Sequence, residues 1–493
     1  MISLLLALPA AVGLWLVTAG RDVSVAVARL VTAVAAVLTL GLAVVVSAAG
    51  SSVDRAWLPD LGVRWTFGVD GIAVPLVLLT AAIGVLVAAH AWVDLPAGGS
   101  PAAFLGCLLL VEAGALATFT ARDAVLFFVA FELVLVPMWV LISRYGDPHD
   151  AGARTEAGYR FVLYTAVGST LMLVGILTLV TSAGTSDLWA LADGAGRALT
   201  PDRQLLVAAL LVAGLAVKVP VFPLHTWLPS AHTTAPTAGS VLLAAVLLKM
   251  GTYGLVRLPV ATVPDGFARL APVLAVLGVV GIIWGGLICL VERDLKRLIA
   301  YSSVAHMGFV VLALATGSET GLQAALFANI AHGVISALLF FLVGGLKARW
   351  GSVDLTLPRP ALRESSPRLG FLLVLGLAAS LGLPGLAGFW GEFFAVYAAW
   401  SPADGRPRAL FIACAAVAAV GAALAAAYAL RVARNVWVGD ALQEGERVTP
   451  DADGTELGIL GVLAASVILL GVFPGIVLDR TADAVSQLIG TWP

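Results

Sequence analysis

Long apolar segments, separated by short polar or Pro/Gly-rich stretches, follow one another along almost the whole chain. A helix needs about 20 apolar residues to cross a bilayer. Backbone polar groups within lipid must bond inside their own segment, so each run predicts a membrane-spanning helix. We find no short alternating strands. The pattern predicts fourteen spans, at 2–19, 30–50, 71–92, 101–119, 123–143, 161–181, 204–224, 237–257, 270–290, 298–316, 322–346, 370–397, 409–430 and 457–478.

Two of the predicted spans are interrupted. The seventh runs into KVPVFPLHTWLPSAH (218–232), with three prolines, and the twelfth contains LGLPGLAGFWGEF (381–393), with one proline and four glycines. Such breaks persist at membrane depth only where they are buried in protein or line a wet cavity. Breaks at matching places in two halves are typical of inverted repeats. We therefore predict an all-α polytopic membrane protein with inverted five-helix repeats (spans 4–8 and 9–13), broken at helices 7 and 12.

The domain organisation follows from the same pattern. The whole chain, 1–493, is predicted to be a single membrane domain without a soluble part or a cleavable signal. No long amphipathic segment is expected after span fourteen. The predicted divisions are N-terminal helices 1–3 (1–100), the first repeat (101–257), the second repeat (270–430) and helix 14 (457–478).

Composition narrows the class of protein. The chain is 60% hydrophobic and 12% charged, whereas soluble domains are about 45–50% apolar and about 25% charged. The lipid bilayer is therefore a predicted partner. A net charge of −2 gives no indication of nucleic-acid binding. All three cysteines lie inside apolar runs without a CxxC or Cys/His cluster. We accordingly expect no metal, iron–sulfur or disulfide framework in this chain.

Lysine and arginine counts predict the orientation. Loops after odd-numbered spans carry sixteen of these residues, and loops after even-numbered spans carry nine. Because cytoplasmic loops hold the excess of positive charge, both termini are predicted to be extracytoplasmic.

Ionisable side chains lie within the predicted spans. Each charge at the bilayer centre costs about 2.5–3.5 kcal/mol on insertion scales, so these residues indicate a function. Burial brings the pKa values of carboxylates and lysines towards neutrality, and histidine titrates there unaided. A series of such groups joined by buried water predicts a path for protons. The mid-span residues are Glu112, Glu132, Lys218, Lys249, His306, His332 and Glu392, and His225 lies in the interrupted part of span seven.

Structural roles remain open for most of these residues. Glu132 and Lys218 could form a static ion pair, and Glu112 could be either an accessory carboxylate or a polar contact. His306 and His332 could be hydrogen-bonded core histidines. For His225, beside several prolines, fixing the loop is the leading interpretation.

Several segments also carry a family resemblance. They are FFVAFELVLVPMW (127–139), KVPVFPLHTWLPSAHTTAPTAGSVLLAAVLLKMGTYGLVR (218–257), ERDLKRLIAYSSVAHMGF (292–309), NIAHGVISALLFFLVGG (329–345) and LPGLAGFWGEFF (383–394). Together they resemble the antiporter-like membrane subunits of respiratory complex I. Three features favour the M-type branch: LLKMGTYGLVR (247–257), Glu392 in place of the N-type lysine, and no long lateral helix of the L type.

The resemblance implies roles for the ionisable residues. Glu132 and Lys218 correspond to the family's Glu–Lys pair, Lys249 to the central lysine and Glu392 to the terminal carboxylate. His306, His332 and Glu112 fall in the family's motifs as accessory positions of the proton path, with His225 beside the broken helix. One departure is Thr233-Thr234, where many relatives have Thr-Glu.

The resemblance also implies the setting. It implies a proton-translocating subunit of a bacterial inner-membrane NADH-quinone oxidoreductase, in contact with L- and N-type and small membrane subunits. NADH, FMN, iron–sulfur clusters and quinone are then expected in partner subunits. The alternatives are a subunit of a multisubunit sodium/proton antiporter, which gene neighbours would reveal, and a membrane scaffold whose polar residues only lock helices together.

Overall fold

The computed structural model describes residues 1–58, 62–440 and 450–490. These residues are almost entirely helical, and twelve helices are long and apolar enough to cross a bilayer, which confirms the all-α membrane fold. The twelve are α1 (Ile2–Ala19), α2 (Val25–Ala49), α3 (Ala73–His90), α4 (Pro101–Thr120), α5 (Ala124–Tyr145), α6 (Ala151–Ala183), α8 (Thr237–Val260), α9 (Pro264–Val291), α10 (Leu295–Ala315), α11 (Glu319–Trp350), α13 (Arg408–Val438) and α14 (Gly454–Val472).

The two helices missing from that series are the broken ones. Helix α7 consists of α7a (Pro201–Lys218) and α7b (Trp227–Thr234), and α12 consists of α12a (Pro367–Ser380) and α12b (Ala387–Trp400). Both predicted breaks are therefore confirmed. The total of fourteen crossings stays a prediction, because neither broken helix is a single long apolar segment.

The helices differ in how much of their surface is buried. Helices α4, α8, α10 and α11 are almost completely buried within the protein, whereas only about a third of α1, α2 and α13 is buried. A helix that is apolar all round and also enclosed belongs to the core of a large protein. The central helices therefore hold any ionisable side chain in protein rather than in lipid.

A β-hairpin joins α2 to α3, so the expectation of no strands is wrong at this place. Strand β1 (Ser52–Leu58) pairs antiparallel with β2 (Val63–Gly68). Trp65 makes edge-to-face contacts with Trp57 and Phe67, with ring centroids 5.6 and 5.1 Å apart. The pair of Trp57 and Trp65 lies across the two strands and stabilises the hairpin. Both strands are too short to stand out among long apolar runs.

The chain after α14 also differs from the prediction. The predicted span 457–478 joins two separate helices, because α14 ends at Val472 and Pro474 precedes α15 (Gly475–Gly490). Proline removes a backbone donor and ends a continuous helix. Helix α15 buries Val477, Thr481 and Val485 at four-residue spacing. A short amphipathic helix therefore follows α14, whereas the sequence analysis addressed only a long one.

An ion pair fixes the N-terminus of α3 to α8. Arg257 was counted among the loop cations, but it lies inside α8, 9% exposed, and donates to both carboxylate oxygens of Asp70. Asp70 also accepts from the backbone N–H groups of Ile72 and Ala73, at 3.1 and 2.9 Å. Removing one partner of a buried ion pair costs about 3–5 kcal/mol, so this contact stabilises the packing of α3 on α8.

We expect Asp70→Asn to lower the thermal unfolding midpoint at neutral pH. Burial raises the pKa of Asp70, but the charge and hydrogen bonds of Arg257 outweigh it and hold that pKa below its ordinary value. The ion pair therefore stabilises the folded protein fully above the pKa of Asp70 in the unfolded chain, about 3.9. This stabilisation is lost as the pH falls through the lower pKa that Asp70 has in the folded protein. Melting curves of the detergent-solubilised protein should show the variant and the parent converging below that pH. The matched control, Asp54→Asn, removes an exposed ion pair with Arg64 and should change little; a pH-independent deficit in Asp70→Asn would contradict the assignment.

Candidate functional site

Lys249 is one of the fully buried charged residues of the protein. It lies on α8 and is completely buried. Its Nζ donates to the carbonyl oxygen of Ala244 at 2.7 Å and lies 2.6 Å from Nδ1 of His332 on α11. A π-helical turn, Leu243–Leu247, ends two residues before Lys249; such turns are frequent at functional sites. At this separation the amine and the imidazole are within hydrogen-bond distance, and the tautomer of His332 decides which of the two donates.

Two further groups continue the line from His332. The rings of His306 and His332 lie 5.7 Å apart between centroids. Nδ1 of His306 lies 2.8 Å from Oε1 of Glu392, and its Nε2 lies 2.9 Å from Oγ of Ser380. Four predicted residues, Lys249, His332, His306 and Glu392, therefore form one series of neighbouring groups, which we name the relay.

A small cavity bridges the widest gap in the relay. It has a volume of about 30 Å³ and is lined by His306, His332 and Glu392 among apolar residues. A water molecule needs roughly 10–15 Å³ of probe volume and several polar partners. The cavity can therefore hold a water molecule between the two imidazoles.

The break in α12 is what brings Glu392 to His306. Helix α12a ends at Ser380, and Glu392 follows in α12b, so His306 has one partner on each side of the break. Gly382 in the break has a φ of +76°, and a Cβ there would lie 2.9 Å from Oε2 of Glu392. A glycine is required at this position by both the backbone conformation and the space that the carboxylate occupies.

Lys218 and Glu132 lie near each other without a direct ion pair. Lys218 is 2% exposed, and its Nζ lies over the rings of Phe131 and Phe161, 5.1 and 5.6 Å from their centroids. Ser169 of α6 donates to Oε1 of Glu132. Glu132 acts on Lys218 electrostatically, but the two are not within 4.0 Å. The structure thus shows the pair separated, with each partner stabilised by other contacts.

The break in α7 places Lys218 against α8. Lys218 is the last residue of α7a, where the helix dipole favours a cation. The indole Nε1 of Trp227 in α7b donates to the carbonyl oxygen of Val217 at 2.9 Å, which joins the two halves. At Gly251 of α8 a Cβ would lie 3.0 Å from Cβ of Lys218. This close approach sets Lys218 beside the turn of α8 that carries Lys249.

Two predicted residues lie apart from the relay. Glu112 on α4 is 1% exposed, lies beside Gly84 of α3, and has no hydrogen-bond partner for its Oε1 among the described residues. His225 is 3% exposed and packs its ring on Phe222 at 5.5 Å. Neither residue hydrogen-bonds to a relay residue in the described part of the chain.

Two further buried basic groups, His232 and Lys296, were not among the predicted site residues. His232 is fully buried, stacks on Phe340 at 4.5 Å and acts electrostatically on both Lys249 and Lys296. Lys296 was counted as a loop cation, yet it is 4% exposed in the first turn of α10. The sequence contained one indication of this position. Asp294 is an N-cap residue, so the helix begins at Leu295 and includes Lys296.

A large cavity leads inward to Lys296. This first cavity has a volume of about 320 Å³, and Lys296, Thr234 and Asp147 are among the residues that line it. Burial raises the pKa of Asp147, but its hydrogen bond and ion pair with Lys347 hold that pKa below the ordinary value. The carboxylate is therefore negatively charged at neutral pH, in the lining of this cavity.

No group of three or more His, Cys, Asp or Glu side chains that could hold a metal ion occurs among residues 1–58, 62–440 and 450–490. Lysine, histidine and carboxylate side chains, such as those of the relay, are groups that can bind and release protons.

Comparison with known proteins identifies the family. The family model described as NADH:quinone oxidoreductase/Mrp antiporter, TM, matches residues 121–418. The chain is 37% identical over 431 residues to NAD(P)H-quinone oxidoreductase chain 4 1 of Nostoc sp., covering 87% of this chain and 78% of that protein. It is 36% identical over 447 residues to NADH-quinone oxidoreductase subunit M of Rhodobacter capsulatus, covering 88% and 84%.

A solved structure gives the same assignment. A chain of respiratory complex I from Thermus thermophilus with bound NADH superimposes with a TM-score of 0.86 and 30% identity, covering 99% of this chain and all of that one. The chain therefore belongs to the transmembrane NADH:quinone oxidoreductase/Mrp antiporter family, among the members named subunit M or chain 4.

Proposed function

We propose that this chain is the proton-translocating M-type membrane subunit of a bacterial NADH-quinone oxidoreductase. The observation that carries the proposal is the relay, in which hydrogen bonds of 2.6 and 2.8 Å and one small cavity connect Lys249 to Glu392. The family match supports the setting. NADH, FMN, iron–sulfur clusters and quinone then act in partner subunits, while this chain moves protons.

In this mechanism a proton reaches Lys249 from the first cavity through Lys296 and His232. An uncompensated ammonium on Lys218 disfavours a second charge on Lys249, because Coulomb energies are large away from water. Glu132 offsets that ammonium when it pairs with Lys218. When the pair separates, as here, the proton on Lys249 is driven towards His332, and then through the relay to Glu392.

We further infer that residues 101–257 and 270–430 are inverted repeats, flanked by 1–100 and 457–478. In support, each broken helix presents an ionisable residue at or next to its break: Lys218 ends α7a and Glu392 begins the second turn of α12b. We place both termini outside, in the inner membrane of a bacterium, with L-type, N-type and small membrane subunits as neighbours.

Glu132→Ala and Lys218→Ala test the mechanism. We expect both to reduce NADH-driven proton pumping severalfold, because the charge that modulates Lys249 is lost. Pumping and quinone reduction would be measured together in inverted membrane vesicles. Glu156→Ala, on the exposed face of α6, is the matched control and should pump normally. Unchanged pumping in Glu132→Ala and Lys218→Ala, with normal quinone reduction, would rule out the mechanism.

The antiporter alternative has one observation in its favour, since the matching family description names Mrp antiporters as well. Pumping driven by NADH in sodium-free buffer separates the two functions. An antiporter subunit would instead exchange sodium for protons without NADH.

A further inference from the structure

A second polar cavity lies beside the first one. This second cavity has a volume of about 400 Å³ and is lined by residues from α3, the following loop, α11 and the start of α14. The two cavities have three lining residues in common: Asp94, Gly344 and Ala348. The ionisable groups that line the second cavity are His90, Asp94, Arg349, Asp453 and Glu456.

His90 is the group with unused hydrogen-bonding capacity in the second cavity. It is 7% exposed, and its Nε2 has no hydrogen-bond partner among the described residues. Arg349 and Glu456 satisfy each other through two hydrogen bonds of 2.9 and 2.5 Å. Asp94 is exposed at the mouth, one helical turn beyond His90, and acts on it electrostatically.

A packing role alone does not account for His90. Its ring lies 5.0 Å from that of Phe341, a contact that phenylalanine would make equally well. Leaving a buried polar group unpaired costs about 1–3 kcal/mol. Water in a polar cavity of this size removes that cost. The next aromatic residue, Phe340, stacks on His232, so the same segment of α11 borders both histidines.

We propose that His90 and Asp94 form a second proton inlet, parallel to the one at Lys296, that feeds the same relay. The proposal rests on the proposed function. A proton taken from bulk water by the Asp94 carboxylate passes through cavity water to Nε2 of His90. It leaves His90 through the water shared with the first cavity and reaches His232 without passing Lys296.

Parallel inlets predict a specific pattern of pumping rates. With NADH-driven inverted vesicles, His90→Gln and Lys296→Met alone should each reduce pumping by about twofold, and the double variant by about tenfold or more, well beyond additivity. His90→Phe keeps the ring contact with Phe341 but cannot carry a proton, so it should behave like His90→Gln. His149→Gln, an exposed histidine at the first cavity, is the control.

Each other outcome has a defined meaning. If the double variant pumps no worse than Lys296→Met alone, the second inlet does not exist. The inlet is also overturned if Lys296→Met combined with His90→Phe pumps normally while Lys296→Met combined with His90→Gln is deficient. That result would show that His90 serves only to pack against Phe341. Lys249→Met runs alongside as the test of the relay itself. If Lys249→Met pumps normally, the proposed function fails. If Lys249→Met loses pumping but the His90 variants do not change it, the inlet alone fails.

Discussion

Replacing Lys249 by methionine is expected to reduce NADH-driven proton pumping by at least tenfold while leaving the amount of protein in the membrane unchanged. Proton-transfer groups typically contribute about 10²–10⁴-fold to the steps that they serve. Lys249 is the only described side chain within hydrogen-bond distance of Nδ1 of His332, so its loss disconnects the relay at the point where the proton arrives. Methionine keeps the flexible apolar stem without the charge.

The same variant distinguishes proton transfer from a scaffold role. Removing a buried ammonium also removes an insertion cost of about 2.5–3.5 kcal/mol, so folding should not suffer. The measurement combines pumping by inverted vesicles with the amount of assembled complex on a native gel. Arg160→Met, an exposed cation on α6, is the control. A variant with little assembled complex but full pumping per complex would favour the scaffold.

Glu392→Gln is expected to have the second largest effect, a loss of pumping of about tenfold, since a terminal proton acceptor is removed. The amide can still hydrogen-bond to Nδ1 of His306, and its volume matches the space left by Gly382. Packing around the α12 break is therefore retained while the carboxylate is lost. Glu392→Asp, which keeps a carboxylate but shortens it, should recover part of the rate.

The readout is proton pumping at matched rates of quinone reduction. Glu319→Gln provides the control, because Glu319 is exposed at the start of α11 and accepts a hydrogen bond from Ser486. Full pumping by Glu392→Gln would show that protons leave His306 by another route, and the relay would then have to end elsewhere.

Local features of the chain made much of the fold predictable. Hydropathy located twelve of the helices, and prolines and glycines located both breaks, because each of these properties acts within a few residues. The same approach failed at the hairpin of β1 and β2 and at Pro474, where short elements adjoin long apolar runs. It also misplaced Lys296 and Arg257. Hydropathy assigns a basic residue near the end of a span to the neighbouring loop, whether or not its side chain is buried in the protein.

By itself the sequence determined that this is a multi-pass membrane protein whose spans carry lysine, histidine and carboxylate groups. It did not determine which of them touch. Lys249 and His332 are 83 residues apart, and His306 and Glu392 are 86 apart. A helix that is buried on all sides has no polar face in its sequence. The sequence of such a helix therefore does not indicate which neighbouring helix a given side chain faces. Only tertiary packing could therefore join four groups into the relay, separate Lys218 from Glu132, and leave Glu112 and His225 outside it.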